Sequence, residues 1–275
     1  MYVVAEIGCN HQGRPETARE MVRVAAECGV NAVKFQKRTL GEMPPGLMES
    51  VYNGPNSFGK TYGEHREALE LDIEQHGKLR EWCRECGVGY ICTPYDVPAL
   101  HEIAGLGPDY IKLASCSLTE IPLLKAAKAS GFPLIVSTGM STSAEVLNAV
   151  LQLRGADVTL LQCTSCYPCE ESDVHLRVMC DYRDAYELQV GLSDHTRGLA
   201  ISLAAAALGA TMIERHFTLD RTWKGTDHAA SLEPSGLKKL VRDCRNIELA
   251  LGDPEKRRLE CEESAWRKLR LMELK

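Results

Sequence analysis

What most constrains this chain is an alternation that runs through nearly all of it. Eight short runs rich in Val, Ile and Leu are each followed by a longer segment with a polar and an apolar face. The runs cover residues 3–8, 32–36, 89–95, 110–115, 133–139, 158–165, 189–196 and 212–218. Most lack strict apolar–polar alternation, as expected for strands of a parallel sheet covered on both faces. Between them, segments such as 16–28, 74–86, 143–153, 199–208 and 235–251 read as helices. Several stretches run into Gly29, Gly87, Gly131 and Gly209, a stop signal for helices.

Eight strands with eight crossovers satisfy a closed (β/α)8 TIM barrel, an α/β fold that commonly takes about 250 residues as one domain. The chain has 275. An open doubly wound sheet is the rival, but no G-x-G-x-x-G fingerprint follows the first strand. The expectation is a single barrel over residues 1–253 and a charged helical tail over 254–275, with Trp266 and Leu269 as docking points. Residues 41–71 interrupt the repeat after strand two. They read as a long loop, with Lys60, His65 and Arg66 available if it serves as a lid.

Composition narrows the function classes. A net charge of −6 argues against a polyanion-binding surface, so no nucleic-acid partner is expected. The most apolar stretch, near 200–213, is too short and interrupted to span a bilayer, so no membrane association is expected either. Met1-Tyr2 leads directly into Val3-Val4-Ala5 without the pattern of a secretion signal. The twelve cysteines are therefore read as reduced thiols of a cytoplasmic protein. Cys163, Cys166 and Cys169 form a C-x-x-C-x-x-C run and Cys83 with Cys86 a second pair. Packing is the preferred reading of both, over a sulfur-bound metal.

Charged residues cluster where the predicted strands end, and barrels place their chemistry at that rim. Glu6 lies on strand one, with Asn10 and His11 in the loop beyond. Lys34 and Gln36 share one face of strand two, and Thr93, Lys112, Ser115 and Ser137 follow on strands three to five. Strand seven carries Ser193, Asp194 and His195, and strand eight Glu214, Arg215, His216 and Thr218. His195 and His216 on neighbouring strand ends can share a divalent cation, with Glu6 completing its shell directly or through water. Lys34 and Lys112 among hydroxyls suit a small ligand bearing both phosphate and carboxylate. For Lys34 alone, an internal ion pair with Glu6 is an equally good structural reading.

Six segments carry a resemblance: AEIGCNHQG at 5–13, VKFQ at 33–36, STGM at 137–140, LLQCTSCYP at 160–168, GLSDHT at 191–196 and IERHFTLDR at 213–221. In this order and spacing the chain resembles the N-acetylneuraminate (sialic acid) synthase, or NeuB-like, family. The resemblance implies a transferase that condenses phosphoenolpyruvate with an open-chain N-acylhexosamine-like aldose. The product is a 2-keto-3-deoxy acid of the nonulosonic type, and phosphate is released. It implies Mn2+ or Mg2+ held by His195 and His216 beside Glu6, these three being the catalytic set. By the same resemblance Lys34, Thr93, Lys112, Ser115, Ser137 and Ser193 bind phosphoenolpyruvate, and Gln36, Tyr167 and Asp227 face the sugar. Ser165 stands in the phosphate neighbourhood where the family often has Asn, and Ser117 where an acidic residue is common. The family usually continues into an antifreeze-like domain, which the resemblance does not reach here, and a homo-oligomer is implied. Two alternatives stay open: a phosphorylated or other aldose as acceptor, as in ketodeoxy-octulosonate and heptulosonate phosphate synthases, or a catalytically silent barrel acting as a binding subunit.

Overall fold

A computed structural model describes residues 1–270. Its strands are β1 (Tyr2–Gly8), β2 (Ala32–Lys37), β3 (Gly89–Pro94), β4 (Tyr110–Leu113), β5 (Leu134–Ser137), β6 (Val158–Cys163), β7 (Gln189–Asp194) and β8 (Met212–His216). They pair in sequence order into a closed barrel, with β1 and β8 joined in parallel. Most stop a residue or more short of the apolar runs that announced them, because the residues at their carboxyl ends leave the ladder.

The helices are α1 (Pro15–Glu27), α2 (Pro45–Met48), α3 (Tyr62–Leu69), α4 (Ile73–Glu85), α5 (Val97–Leu106), α6 (Ile121–Ser130), α7 (Ser143–Gln152), α8 (Arg177–Tyr186), α9 (Ala200–Ala207), α10 (Pro234–Leu251) and α11 (Glu263–Leu269). Their boundaries follow local chemistry. Proline begins α1 and α10, where a missing N–H costs nothing. Asp72 with Gln75 and Thr142 with Glu145 form capping boxes at α4 and α7. The expected stops hold, with φ of +86° at Gly29 and +91° at Gly209. In α10, Leu237, Leu240, Val241 and Cys244 are buried at helical spacing, which turns one stripe inward.

Strand periodicity divides the barrel into two faces and, inside, into layers. Val3, Ala5, Ile7, Val33, Phe35, Ile111, Leu113, Leu134 and Val136 point outward into the core shared with the helices. Their neighbours Val4, Ala32, Ile91, Ile135, Leu161 and Met212 point inward and pack as a separate plug, with Tyr2 and Tyr110 against it. Each fully buried aliphatic side chain of this kind contributes roughly 1.5–3 kcal/mol. Gly191 completes the plug: a Cβ there would lie 2.2 Å from the Met212 carbonyl oxygen and 2.7 Å from Leu161.

Two expectations need correction. The segment 41–71 is a folded insertion instead of an open loop. Thr61 and Glu64 cap α3 reciprocally, and the rings of Tyr52, Phe58 and Tyr62 surround a buried His65. The tail is helical only near its end, in α11 after a short 3-10 turn at Glu260–Glu262. There Trp266 lies under the Arg258 guanidinium of the same tail, while Leu269 is 70% exposed. Residues 271–275 of the expected tail lie outside the described residues. Among those described, no helix is long and apolar enough to cross a membrane.

Candidate active site

Two residues beyond the plug along each strand, the same inward face turns polar. Val4 is followed by Glu6, Ala32 by Lys34, Ile91 by Thr93, Tyr110 by Lys112, Ile135 by Ser137, Leu161 by Cys163, Gly191 by Ser193 and Met212 by Glu214. This layer floors a cavity of about 330 Å³ at the carboxyl ends of the strands. All thirteen residues given a catalytic, metal or substrate role by the resemblance line it: Glu6, Lys34, Gln36, Thr93, Lys112, Ser115, Ser137, Ser165, Tyr167, Ser193, His195, His216 and Asp227.

The floor holds two ammonium groups and two carboxylates in contact. Lys34 Nζ lies 2.5 Å from Glu6 and 3.8 Å from Glu214, while Lys112 Nζ lies 4.0 Å from Glu214. Lys112 donates to Ser137 Oγ at 2.7 Å, Ser193 Oγ donates to Glu214 at 2.9 Å, and Gln36 Nε2 donates to Glu6 at 2.9 Å. Burial raises the Glu6 carboxyl above its usual range, and Lys34 only partly offsets this. Burial acts in the same direction on Glu214, but Lys112 and Lys34 reverse it and hold that carboxylate at about 2. The Lys112 ammonium is lowered by burial despite Glu214. For Lys34 the two carboxylates outweigh burial and the net shift is upward. The sequence reading of Lys34 as an internal partner of Glu6 is therefore correct, and the same ammonium also faces the cavity.

Above the floor stand the two imidazoles, with ring centres 5.5 Å apart. His195 Nδ1 lies 2.9 Å from the Thr164 carbonyl. A carbonyl only accepts, so Nδ1 carries a proton and Nε2 is the nitrogen left to face a ligand. Burial lowers this imidazole, but the neighbouring Cys163 outweighs it and the net shift is upward. His216 Nδ1 is buried without a hydrogen-bond partner, and the nearest carboxylate oxygen, of Asp227, is 3.9 Å away. Burial, assisted by His195, lowers His216 to about 4, so its ring is neutral and able to ligate. Tyr167 packs on both rings, 4.2 Å from His195 and 5.6 Å from His216. Two imidazoles on neighbouring strand ends, one of them neutral with an orphaned buried nitrogen, suit a divalent cation. Among the described residues no three His, Cys, Asp or Glu side chains already converge on one point, and Glu6 is engaged by Lys34 and Gln36.

On the β5 to β6 side, Gly139 donates its N–H to Ser115 Oγ at 3.0 Å. A Cβ on Gly139 would come within 2.4 Å of Ser165 Oγ and 2.8 Å of Ser115 Oγ. Only a glycine fits between these two hydroxyls.

Several polar residues read at the rim do not face the cavity. Asn10 donates to the Phe217 carbonyl and Ser231, and His11 accepts from Gly13 N–H, so both fasten a loop. Asp194 and Arg215 alternate out of phase with the site and pair behind the sheet. Arg215 Nη1 lies 2.7 Å from Asp194, and the Arg215 guanidinium also donates to the carbonyls of Thr196 and Gly198. Ser202 donates to the same Asp194 carboxylate. The cysteine run does not assemble, since Cys166 is exposed while Cys163 and Cys169 are buried, and all twelve thiols are free.

The cavity also contains Cys163, Tyr95 and Arg38, which the sequence reading did not place in the site, together with Glu214, read at the rim without a role, and Arg66, read as a lid residue of the insertion. Glu214 and Cys163 follow from the alternation that gave Lys34 and Ser193, and Arg38 continues the series Lys34, Gln36. Of the three basic residues noted in the insertion, Arg66 alone lines the cavity, while Lys60 is exposed and His65 is internal.

A closed parallel barrel with buried ammonium groups, hydroxyls and paired imidazoles at its carboxyl mouth defines a TIM barrel equipped at the end where that fold carries its chemistry. Within this class the chain belongs to the NeuB family, whose profile matches residues 21–256. It is 40% identical over 273 residues to the human N-acetylneuraminate-9-phosphate synthase, covering 98% of this chain and 76% of that one. It is 38% identical over 263 residues to the N,N'-diacetyllegionaminic acid synthase of Campylobacter jejuni, covering 91% of this chain and 77% of the other. The crystal structure of the N-acetylneuraminic acid synthetase of Leptospira borgpetersenii, in complex with citrate, superposes with a TM-score of 0.84 at 32% identity, over 100% of this chain and 93% of that one.

Proposed function

We propose that this chain joins phosphoenolpyruvate to the aldehyde carbon of an open-chain, N-acylhexosamine-like aldose, releasing phosphate and a nonulosonic 2-keto-3-deoxy acid. The observation that carries the reading is the pair of buried ammonium groups, Lys34 and Lys112, set among hydroxyls in the cavity that also holds His195 and His216. The names of the relatives, an N-acetylneuraminate-9-phosphate synthase and an N,N'-diacetyllegionaminic acid synthase, support the reaction class and differ in product.

In this reading Lys34 and Lys112 hold the phosphate and carboxylate of the enol phosphate. Thr93, Ser115, Ser137, Ser165 and Ser193 orient its oxygens, and Gln36, Tyr167 and Asp227 line the acceptor side. A bond forms between carbon three of phosphoenolpyruvate and the aldehyde carbon. Water then adds at carbon two, and the bond from carbon two to the phosphate oxygen breaks to leave the ketone. Glu6, raised by burial, is in this reading the group that exchanges a proton with the reacting carbonyl oxygen. Orientation of two substrates in one pocket contributes roughly 7–11 kcal/mol to such reactions. His195 and His216 would hold Mn2+ or Mg2+, with Glu6 near it through water. Such an ion, when bound, supplies Lewis-acid polarisation of the aldehyde.

Phosphate release from phosphoenolpyruvate with Mn2+ and a panel of aldoses tests the activity. His195→Ala is expected to abolish turnover and lower bound metal while the circular dichroism spectrum is kept. A normal rate with normal metal content in that variant overturns the assignment.

A further inference from the structure

Charge in the cavity is balanced on its floor and unbalanced at its rim. Glu6 and Glu214 face Lys34 and Lys112 below. Arg38 and Arg66 stand at the β2 side of the opening, and among the described residues neither guanidinium has a carboxylate oxygen within 4.0 Å. Arg38 is only 6% exposed, a costly place for an unpaired cation. Its guanidinium lies over the Tyr95 ring at 3.6 Å, and its Nη2 donates to Gln36 Oε1 at 3.0 Å. Arg66 comes from α3 of the insertion and donates through Nε to the Tyr62 hydroxyl at 2.8 Å. Its Nη1 reaches Cys9 Sγ at 3.7 Å, and Cys9 Sγ is 3.7 Å from Gln36 Oε1. Arg66, Cys9, Gln36 and Arg38 thus form one continuous chain of contacts along the rim.

A second hollow opens beyond this rim; Arg38, Arg66 and Tyr95 line it too, with Tyr62 and the carboxylates of Glu42, Asp96 and Glu120 further out. The two guanidinium groups therefore sit at the boundary between the reaction cavity and an outer chamber. Their hydrogen-bond and ring partners are neutral, and the carboxylates that act on them, Asp227 on Arg66 and Glu70 on Arg38, do so from beyond 4.0 Å. Arginine is suited to phosphate because its fork donates two parallel charge-assisted hydrogen bonds.

We infer that Arg38 and Arg66 form a clamp for a phosphate carried by the acceptor sugar at the end remote from its aldehyde. The chain then uses a phosphorylated aldose and releases a phosphorylated sugar acid. This rests on the synthase reading above and selects among the acceptors which that reading leaves open. The ester phosphate takes no part in the chemistry. It leaves with the product, distinct from the phosphate lost by phosphoenolpyruvate.

The test compares kcat/KM for an N-acylhexosamine and for its terminal phosphate ester, with phosphoenolpyruvate and Mn2+, in the wild type and in Arg38→Gln and Arg66→Gln. The ester is expected to be preferred. Each substitution is expected to reduce that preference roughly 10- to 100-fold, mainly through KM, as loss of a charge-assisted hydrogen bond does. Arg66→Lys is expected to restore part of it. Because Arg66 stands on the insertion, Arg66→Gln decides the matter if Arg38→Gln does not fold. Equal efficiency with the two sugars, or a preference unchanged in Arg66→Gln, overturns the clamp and leaves the synthase reading standing. No turnover with either sugar overturns the synthase reading, and the clamp with it.

Discussion

Glu214 is the residue on which the floor of the cavity depends. It accepts from Ser193 and lies within 4.0 Å of both Lys34 and Lys112. Glu214→Gln keeps the shape and removes the charge, leaving two buried ammonium groups with Glu6 alone. Breaking one side of a buried ion pair typically costs about 3–5 kcal/mol. A lower urea midpoint is the expected outcome, and an unaltered midpoint would contradict it. Two histidines act by being uncharged. Burial lowers His11 to about 4 and His76 to about 3, and His76 Nδ1 bonds the Tyr90 hydroxyl at 2.8 Å. An unfolded imidazole titrates near 6.5, so the unfolded chain takes up these protons first as the solution is acidified. Their contribution is complete above about pH 6.5, declines as pH falls towards 4 and is lost below about 3. His76→Gln is expected to flatten the fall of the urea midpoint between pH 6.5 and 5 relative to the wild type. Parallel profiles would show that the ring does not resist acid.

The strand is the element that ties fold to site, since its two-residue period assigns each position to the helices, the plug or the cavity. Gly191 shows how tight that assignment is, because it faces Met212 in register and leaves no room for a methyl group. Gly191→Ala is expected to cost about 3 kcal/mol, at the upper end of overpacking penalties, read as a drop in thermal midpoint. Recovery of wild-type stability would mean that the plug can rearrange. Eight strands were legible in the sequence because buried parallel strands are continuous apolar runs. Their carboxyl ends were overextended, since Thr138, Thr164 and Ser165 have the composition of strand residues but turn into loops. The insertion was misread because its order comes from a cap at Thr61 and an aromatic cluster around His65, neither of which has strand or helix periodicity over a useful length.

For the whole molecule, order along the chain becomes order around a ring, so residues as distant as Glu6 and His216 are register partners. That is why thirteen site residues read from strand ends and motifs converge on one cavity. Arg38 escaped notice because it lies one residue beyond the end of β2, where chain direction is hard to assign from sequence. Asp194 and Arg215 were placed at the rim because they adjoin histidines, whereas the alternation sends them to the opposite face. Their position has its own effect. The Arg215 guanidinium, 1% exposed, bolts β7 to β8 immediately beside the two strand ends that carry His195 and His216. The gap between the imidazoles is therefore gauged from the dry reverse of the barrel wall, where solvent and reactants do not enter. A chain built this way can exchange residues at its mouth to suit a new acceptor while its pair of nitrogens stays at one separation.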